Sequence, residues 1–270
     1  MKRSGRSGQR TGIAGAEPFF PSRPQAVFSG RNLSASGPVP TWKRALDVFC
    51  VLASLPVTLP LMAVVGLWIK CASQGPALFR QERIGRNGKR FSLYKFRSMH
   101  RNADTKRHQN HFQKLVTTDS PMVKLDLLCD SRVIPGGCFL RAAGLDELPQ
   151  LFNVLRGEMS LVGPRPCLPE EYRFFSGRQR DRFEALPGLT GIWQVIGKNV
   201  STFSEMNAMD ALYVRRSSPA LDIAIMIRTP FALLRQMHMA FKQQRASQAE
   251  KRSERSGEAS LSGLSTQRLG

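Results

Sequence analysis

The residue best suited to hold a phosphate is Arg165, which lies between two prolines in Gly163-Pro164-Arg165-Pro166. Proline fixes its own φ and restricts the residue before it. An arginine on such a stiff backbone loses less entropy when its guanidinium forks onto a phosphate, whereas a merely solvated arginine needs no such support. The pattern therefore favours a phosphate-binding role for Arg165, with a rigid structural turn as the alternative.

Two adjacent carboxylates, Asp146 and Glu147, are the second feature that could do chemistry. They precede apolar residues spaced at i, i+3, i+4 and i+7, which predict a helix with one buried stripe. Those apolar residues are Leu148, Leu151, Phe152 and Leu155. Acidic residues and a proline, here Pro149, are favoured in the first turn of a helix. The helix alone therefore explains the acidic pair, and catalysis remains the alternative.

A third feature is a pair of cations on a predicted β-hairpin. Two short strands, Leu78 to Ile84 and Arg90 to Phe96, flank the dipeptide Asn87-Gly88, which is a strong signal for a tight turn. Side chains alternate along a strand, so Lys95 and Arg97 are expected on one face. This pair could bind phosphate or could form an ordinary solvated surface.

One long apolar segment precedes these candidate residues and is among the elements that must position them. The run from Ala45 to Ile69 is almost wholly apolar and is long enough to span a bilayer. Pro56 and Pro60 interrupt its middle, so a kink or break is expected there. Basic residues flank both ends, although positive charge normally marks only the cytoplasmic end. A re-entrant helix and a kinked transmembrane span both fit these observations.

Composition limits the other classes of function. The chain of 270 residues carries 40 Lys and Arg against 20 Asp and Glu, a net charge of +20, so an anionic partner is expected. With three tryptophans and three tyrosines and no zinc-finger spacing, the nucleic-acid interpretation lacks a stacking platform or a metal-held reader. The five scattered cysteines give little support to a disulfide framework. An anionic membrane surface and nucleic acid both fit the charge, and charge alone does not choose between them, but no sequence feature of a nucleic-acid reader accompanies it.

The two ends of the chain differ from its middle. Residues 1–42 are rich in Gly, Ser, Arg and Pro and are predicted to form a disordered basic arm. Residues 243–270 hold little apolar surface and are predicted to form a disordered tail. Between them we expect a membrane helix over 43–70 and a catalytic domain over 71–242. The segment from Leu221 to Phe241 has the apolar and basic mixture of helices that lie in a membrane interface.

The ordered motifs along the chain resemble the bacterial sugar transferases, the monotopic phosphoglycosyl transferases of the small type that initiates exopolysaccharide synthesis. The resemblance covers roughly residues 43–229. The motifs that carry it are Lys43-Arg44 through Asp47, Phe79 to Gly85, Lys95 to Met99, Leu145 to Gln150, Ser160 to Pro166 and Pro187 to Gly191. Where the family usually has Thr-Ser before the acidic pair, this chain has Ala143-Gly144.

The resemblance implies a fold and a location. The expected fold is a small α/β, mostly helical catalytic domain with an N-terminal re-entrant membrane helix and interfacial amphipathic helices. The helix is expected to break near Pro60, with Pro56 as an additional break. The expected location is the cytoplasmic face of the bacterial inner membrane, in contact with its lipid. Downstream glycosyltransferases are candidate partners.

The resemblance also implies a covalent, magnesium-dependent reaction. Asp146 matches the family's nucleophile, which attacks the β-phosphorus of a UDP-sugar, releases UMP and keeps the sugar phosphate until undecaprenyl phosphate takes it. Glu147 matches the acid that binds Mg²⁺, and Arg141 and Arg165 match arginines that hold phosphates. A non-catalytic membrane-bound partner in polysaccharide assembly is the alternative function.

Overall fold

The computed structural model describes residues 37–100, 106–122, 132–198 and 200–266, and it describes side chains there except over 106–111 and 243–266. Seven α-helices and four short strands lie in these ranges, and the fold is mostly helical. The helices are α1 Thr41–Ala72, α2 Lys106–Thr117, α3 Gly137–Ala142, α4 Gln150–Leu155, α5 Pro169–Tyr172, α6 Phe203–Arg216 and α7 Pro219–Thr266. The strands are β1 Leu78–Ile84, β2 Arg90–Phe96, β3 Ser160–Val162 and β4 Gly188–Thr190.

The long apolar segment is one helix, α1, of 32 residues. Its length and mean hydropathy of 2.3 would allow it to cross a membrane. Pro56 and Pro60 both lie inside the helix, which continues through them, so the predicted break is not seen, and residues 52–61 contain no buried side chain. The buried residues instead lie toward the two ends of the helix, where they pack on the rest of the chain. They are Lys43, Asp47, Val51, Met62, Val65 and Ile69.

The predicted hairpin is confirmed residue by residue. Strands β1 and β2 pair antiparallel, with Leu78 opposite Phe96 and Ile84 opposite Arg90. Asn87 and Gly88 both adopt positive φ, 55° and 73°, as the turn signal predicts. The connection between the strands is one short 3₁₀ turn.

A second, parallel sheet consists of β3 and β4 alone. It brings the backbones of Gly163 and Gly188 so close that a Cβ on Gly188 would lie 2.1 Å from the Gly163 nitrogen. Only glycine permits this approach. The two proline- and glycine-rich blocks of the sequence therefore lie side by side.

Helix α4 follows the acidic pair as predicted, but its buried stripe differs from the predicted one. Phe152 is 44% exposed, whereas Asn153 is fully buried. The Asn153 amide donates to the carbonyl of Ser92, 2.7 Å away, and its oxygen accepts from the Tyr94 amide at 3.1 Å. Asn153 thus supplies hydrogen bonds to backbone groups on the edge of β2 that has no partner strand. The spacing of apolar residues carries no information about such a contact.

Helix α7 extends further than the sequence predicted. The predicted disordered tail over 243–270 is helical as far as Thr266. The first part of this stretch is rich in glutamine, alanine, glutamate, lysine and arginine, which are strong helix formers and favour the extension of α7. Nearer its start, α7 carries a row of exposed apolar residues, as expected of the Leu221 to Phe241 segment. They are Ile223, Ile227, Phe231, Leu234, Met239 and Phe241. Residues 1–36 of the predicted basic arm lie outside the described residues.

Candidate active site

A cavity of about 420 Å³ lies where the hairpin, the acidic turn, the second sheet and α7 meet. One wall is rich in charged groups and the opposite wall is mainly apolar. The charged residues lining the cavity are Arg83, Lys95, Arg141, Glu147, Arg165 and Lys198. The α7 residues lining it are Met226, Thr229, Pro230, Ala232, Leu233 and Gln236. The shape suits a ligand that carries both negative charge and a less polar part.

Four of the predicted site residues line this one cavity, although the sequence separates them by up to 70 positions. Lys95 comes from β2, Arg141 from the end of α3, Glu147 from the acidic turn, and Arg165 from the turn after β3. Burial lowers the pKa of Lys95 to about 8, with Arg83 acting in the same direction and Glu147 opposing it. Cations outnumber carboxylates on this wall, so the cavity suits an anion.

Asp146 lies in a single 3₁₀ turn, Leu145–Glu147, and is 8% exposed. Its charge also opposes the lowering of the Lys95 pKa, so the two side chains are within electrostatic range. Gly144 begins the turn with φ of 70°, in the left-handed region that favours glycine. Gly144 thus supplies the backbone conformation that begins the turn carrying the acidic pair.

Arg165 is supported from behind by a buried arginine. Arg182 donates to the Arg165 carbonyl at 2.7 Å and forms an ion pair with Asp210 at 2.9 Å. Burial raises the pKa of Asp210 to about 6, although Arg182 opposes the shift. The Arg165 guanidinium itself lies 6.0 Å from the centre of the Trp193 ring. The backbone of Arg165 is therefore held rigidly while its charge faces the cavity.

Arg97 does not reach the cavity, which corrects the prediction that it shares a surface with Lys95. Its guanidinium donates to the carbonyls of Ser73 and Gln74, just after the end of α1. Arg97 lies one residue beyond β2, where the alternation of a strand no longer determines direction. It serves as a cap on α1, and a phosphate-binding role is not retained for it.

Three further polar residues line the cavity, Arg83, Trp193 and Gln194, and none of them had a firm role assigned from the sequence. Arg83 is 5% exposed and donates to the Pro166 carbonyl at 3.2 Å, beside Arg165. Among the described residues, Trp193 Nε1 and Gln194 Oε1 are buried without a hydrogen-bond partner. Buried polar atoms are nearly always paired, so an indole donor and an amide acceptor in one cavity point to a polar ligand there. For Trp193 and Gln194, the signal in the sequence was the turn-rich block Pro187 to Gly191 just before them.

The acidic turn fits a magnesium ion that is shared with a substrate. Within the described ranges, no group of three or more His, Cys, Asp or Glu side chains could hold a metal alone. Mg²⁺, however, commonly binds through one or two carboxylates together with substrate phosphates and water. Glu147 with Asp146 beside it would provide such a pair. His108 and His111 lie where side chains are not described.

Comparison with known proteins shows what the chain as a whole is similar to. The family described as bacterial sugar transferase matches residues 39–236. A UDP-glucose:undecaprenyl-phosphate glucose-1-phosphate transferase of Caulobacter vibrioides is 39% identical over 216 residues, which is 75% of each chain. The exopolysaccharide production protein ExoY of Sinorhizobium fredii is 35% identical over 187 residues, 69% of this chain and 83% of the relative.

A longer relative matches over only part of its length. The undecaprenyl-phosphate galactose phosphotransferase of Salmonella typhimurium is 39% identical over 200 residues, 72% of this chain but 40% of the relative. The present chain thus spans less than half of that protein. The family match covers most of the described chain, including the acidic turn, both proline- and glycine-rich blocks and α1. The chain therefore belongs to the bacterial sugar transferase family.

Proposed function

We propose that this protein transfers a sugar 1-phosphate from a UDP-sugar to undecaprenyl phosphate and so initiates assembly of a polysaccharide. The observation that carries the proposal is one cavity that gathers Lys95, Arg141, Glu147 and Arg165 next to Asp146. The names of the relatives from Caulobacter vibrioides and Salmonella typhimurium state the same class of acceptor. A nucleotide sugar has the diphosphate that such a cationic wall would hold.

The cationic wall would bind the donor through its diphosphate. Arg141 and Arg165 offer planar forks that match phosphate oxygens, and Lys95 adds a compact charge. The sugar carries hydroxyl groups that both donate and accept hydrogen bonds. Trp193 Nε1 and Gln194 Oε1 would pair with such a hydroxyl and so complete their hydrogen bonding.

The transfer would proceed in two displacements at the β-phosphorus. A carboxylate oxygen of Asp146 forms a bond to this phosphorus as the bond to the bridging oxygen breaks, and UMP leaves with the electron pair. A phosphate oxygen of undecaprenyl phosphate then attacks the same phosphorus and releases the Asp146 carboxylate. Glu147 would hold Mg²⁺, whose chemistry when bound is to neutralise the negative charge that develops on the leaving group. Arg165, fixed by Arg182, would stabilise the transferring group.

The apolar helix α1 would enter the membrane and return to the same, cytoplasmic face of the bacterial inner membrane. Its first turns contact β3 and α7, since Asp47 accepts from Ser160 at 2.9 Å and Lys43 bonds to Asp222. Its last turns pack in one cluster with Phe96 of the same domain. A helix across a bilayer would separate its ends by about 30 Å, on opposite surfaces. Contact of both ends with one domain supports the re-entrant arrangement.

The proposal is tested by the release of UMP. We expect the purified chain with undecaprenyl phosphate to release UMP from at least one UDP-sugar in Mg²⁺, and to release none in excess chelator. Asp146→Asn should lower the rate by about a thousandfold or more because the substitution removes the nucleophile while keeping its shape. Asp181→Asn, in the 3₁₀ segment Gly177–Glu184 and in a long ion pair with Arg215, is the matched control and should keep its activity.

The alternative function makes the opposite prediction. A non-catalytic partner in polysaccharide assembly would release no UMP from any UDP-sugar, although circular dichroism showed it to be folded. That result would overturn the proposed transfer reaction.

A further inference from the structure

The hairpin carries a second cluster of cations, centred on Tyr94. Arg80 is the direct cross-strand partner of Tyr94, and its guanidinium carbon lies 5.4 Å from the centre of the tyrosine ring. Arg156, just after α4, lies 5.1 Å from the same ring and donates to the tyrosine hydroxyl at 2.6 Å. One ring thus holds two arginines in fixed positions.

This cluster is separate from the active-site cavity. Lys95 and Arg83 line the cavity, whereas Tyr94 and Arg80 alternate with them along the same two strands. Side chains at neighbouring strand positions point to opposite faces of a sheet. The Arg80–Tyr94–Arg156 cluster therefore lies on the opposite face of the hairpin.

The charge of the cluster is not balanced within the part of the chain that the structure describes. Glu82, on the same face, pairs with Arg90 at 3.2 Å, nearer the other end of the hairpin. Glu158 accepts from the Asn153 amide at 2.7 Å. Both Arg80 and Arg156 are exposed, and each guanidinium has five N–H donors. Two oriented cations side by side favour an anion with several acceptor oxygens.

The cluster is also close to both ends of α1. The Leu155 carbonyl, immediately before Arg156, accepts from Arg44 in the first turns of α1. Phe96, two residues after Tyr94, lies against Gly66 in the last turns of α1, where an added Cβ would meet its ring at 3.7 Å. A membrane that held α1 would therefore have its surface at the level of the cluster.

Exposed apolar side chains flank the cluster. Leu78, two residues from Arg80 on the same face, is 46% exposed, and Phe152, one helical turn before Arg156, is 44% exposed. Arginine, tyrosine and exposed apolar groups together are typical of the headgroup region of a bilayer. Free phosphate would use the arginines but would have no contact for the apolar side chains.

We propose that Arg80, Tyr94 and Arg156 form a clamp for the phosphate of an anionic phospholipid headgroup. The two guanidinium groups bind the phosphate oxygens, and the tyrosine ring between them sets their separation. Leu78 and Phe152 contact the first part of the acyl chains. The clamp thereby fixes the orientation of the catalytic domain on the membrane, whichever sugar the enzyme transfers.

The test uses the full chain in maltoside micelles, titrated calorimetrically with short-chain phosphatidylglycerol. We expect saturable binding that weakens about tenfold or more in Arg80→Ala/Arg156→Ala, because each basic residue contributes to attraction of an anionic lipid. The matched control is Arg90→Ala, which removes an exposed arginine from the other end of the hairpin. Its affinity should stay within about twofold of the unsubstituted chain.

Three results would overturn the clamp. Equal binding of short-chain phosphatidylcholine would show that the anionic headgroup is not recognised, and equal affinity for inorganic phosphate would identify free phosphate as the ligand. If the alanine variant unfolds, Arg80→Lys/Arg156→Lys replaces it, because lysine keeps the charge but loses the planar stack. Full affinity in that lysine variant would show diffuse charge attraction instead of a clamp.

Discussion

Two regions of this protein place arginine near a carboxylate. In one the charges form a buried ion pair, and in the other they line a cavity. Arg182 and Asp210 form a closed pair, with side chains 3% and 2% exposed, and Arg182 also donates to the Arg165 carbonyl. Around the cavity, Arg141, Arg165 and Lys95 face a single lining carboxylate, Glu147, and an open volume of about 420 Å³. The closed pair is buried among protein groups only, whereas the open group borders a cavity large enough for a ligand.

The comparison shows why residue type alone does not identify a site. A buried ion pair loses much of its Coulomb energy to desolvation, and its removal chiefly destabilises the fold. Cations that line a cavity from a rigid backbone are positioned to stabilise charge on a bound substrate. Substitutions in the closed pair should therefore change stability, and substitutions in the open group should change catalysis.

The largest effect on stability is expected from Arg182→Met. It leaves Asp210 buried without its partner, and the free energy of unfolding should fall by about 3–5 kcal/mol. The loss should be smaller at pH 5 than at pH 8, because the pKa of Asp210 is already raised to about 6 and protonation removes the unpaired charge.

The measurement is thermal unfolding in detergent at both pH values. Arg173→Met, at an exposed position beside Phe174, is the matched control and should unfold close to the unsubstituted chain. A melting temperature of Arg182→Met equal to that of the unsubstituted chain would contradict the structural role of the closed pair.

A smaller effect, on catalysis alone, is expected from Arg165→Lys. Lysine keeps the charge but not the planar fork, so kcat/KM for the UDP-sugar should fall by about 10- to 100-fold. The melting temperature should not change, because the backbone carbonyl that Arg182 holds is still present. A fall in melting temperature with unchanged kcat/KM would show that the Arg165 side chain stabilises the fold, as the closed pair does, and does not bind the donor.

The smallest effect is a pH dependence that comes from Lys95. With a pKa of about 8 in the folded chain, Lys95 loses its charge between pH 7 and pH 9, so donor affinity should fall by up to about tenfold. The fold does not weaken in this range, because a lysine pKa below its ordinary value makes stability rise with pH. Lys95→Arg should flatten the profile of KM against pH, and Lys89→Arg on the hairpin turn should leave it unchanged. An unaltered profile in Lys95→Arg would assign the titration to another group.

The fold could be predicted from sequence wherever local periodicity decides the structure. The hairpin has its predicted strand ends because alternation and Asn87-Gly88 both specify it. The prediction for α4 was right in type but wrong in its buried face, because Asn153 serves the edge of β2. Long-range contacts of this kind leave no periodic signal.

Part of the candidate site could also be predicted from local sequence. Arg165 stood out through its flanking prolines. The position of the acidic pair before a helix explained it without function, and the roles of Asp146 and Glu147 came from the family resemblance. Arg83 did not stand out, because only the packed structure shows that this strand position faces Arg165 and Pro166. Arg97 was expected beside Lys95, but the strand ends before it and its guanidinium turns to α1.

The covalent role of Asp146 is tested most directly by the intact mass of the chain after it is mixed with its UDP-sugar and Mg²⁺ without undecaprenyl phosphate. We predict an increase equal to one sugar phosphate group in the unsubstituted chain, its loss when undecaprenyl phosphate is added, and no increase in Asp146→Asn. Transfer of sugar phosphate to undecaprenyl phosphate by a chain that is never modified, or an equal increase in Asp146→Asn, would contradict the account.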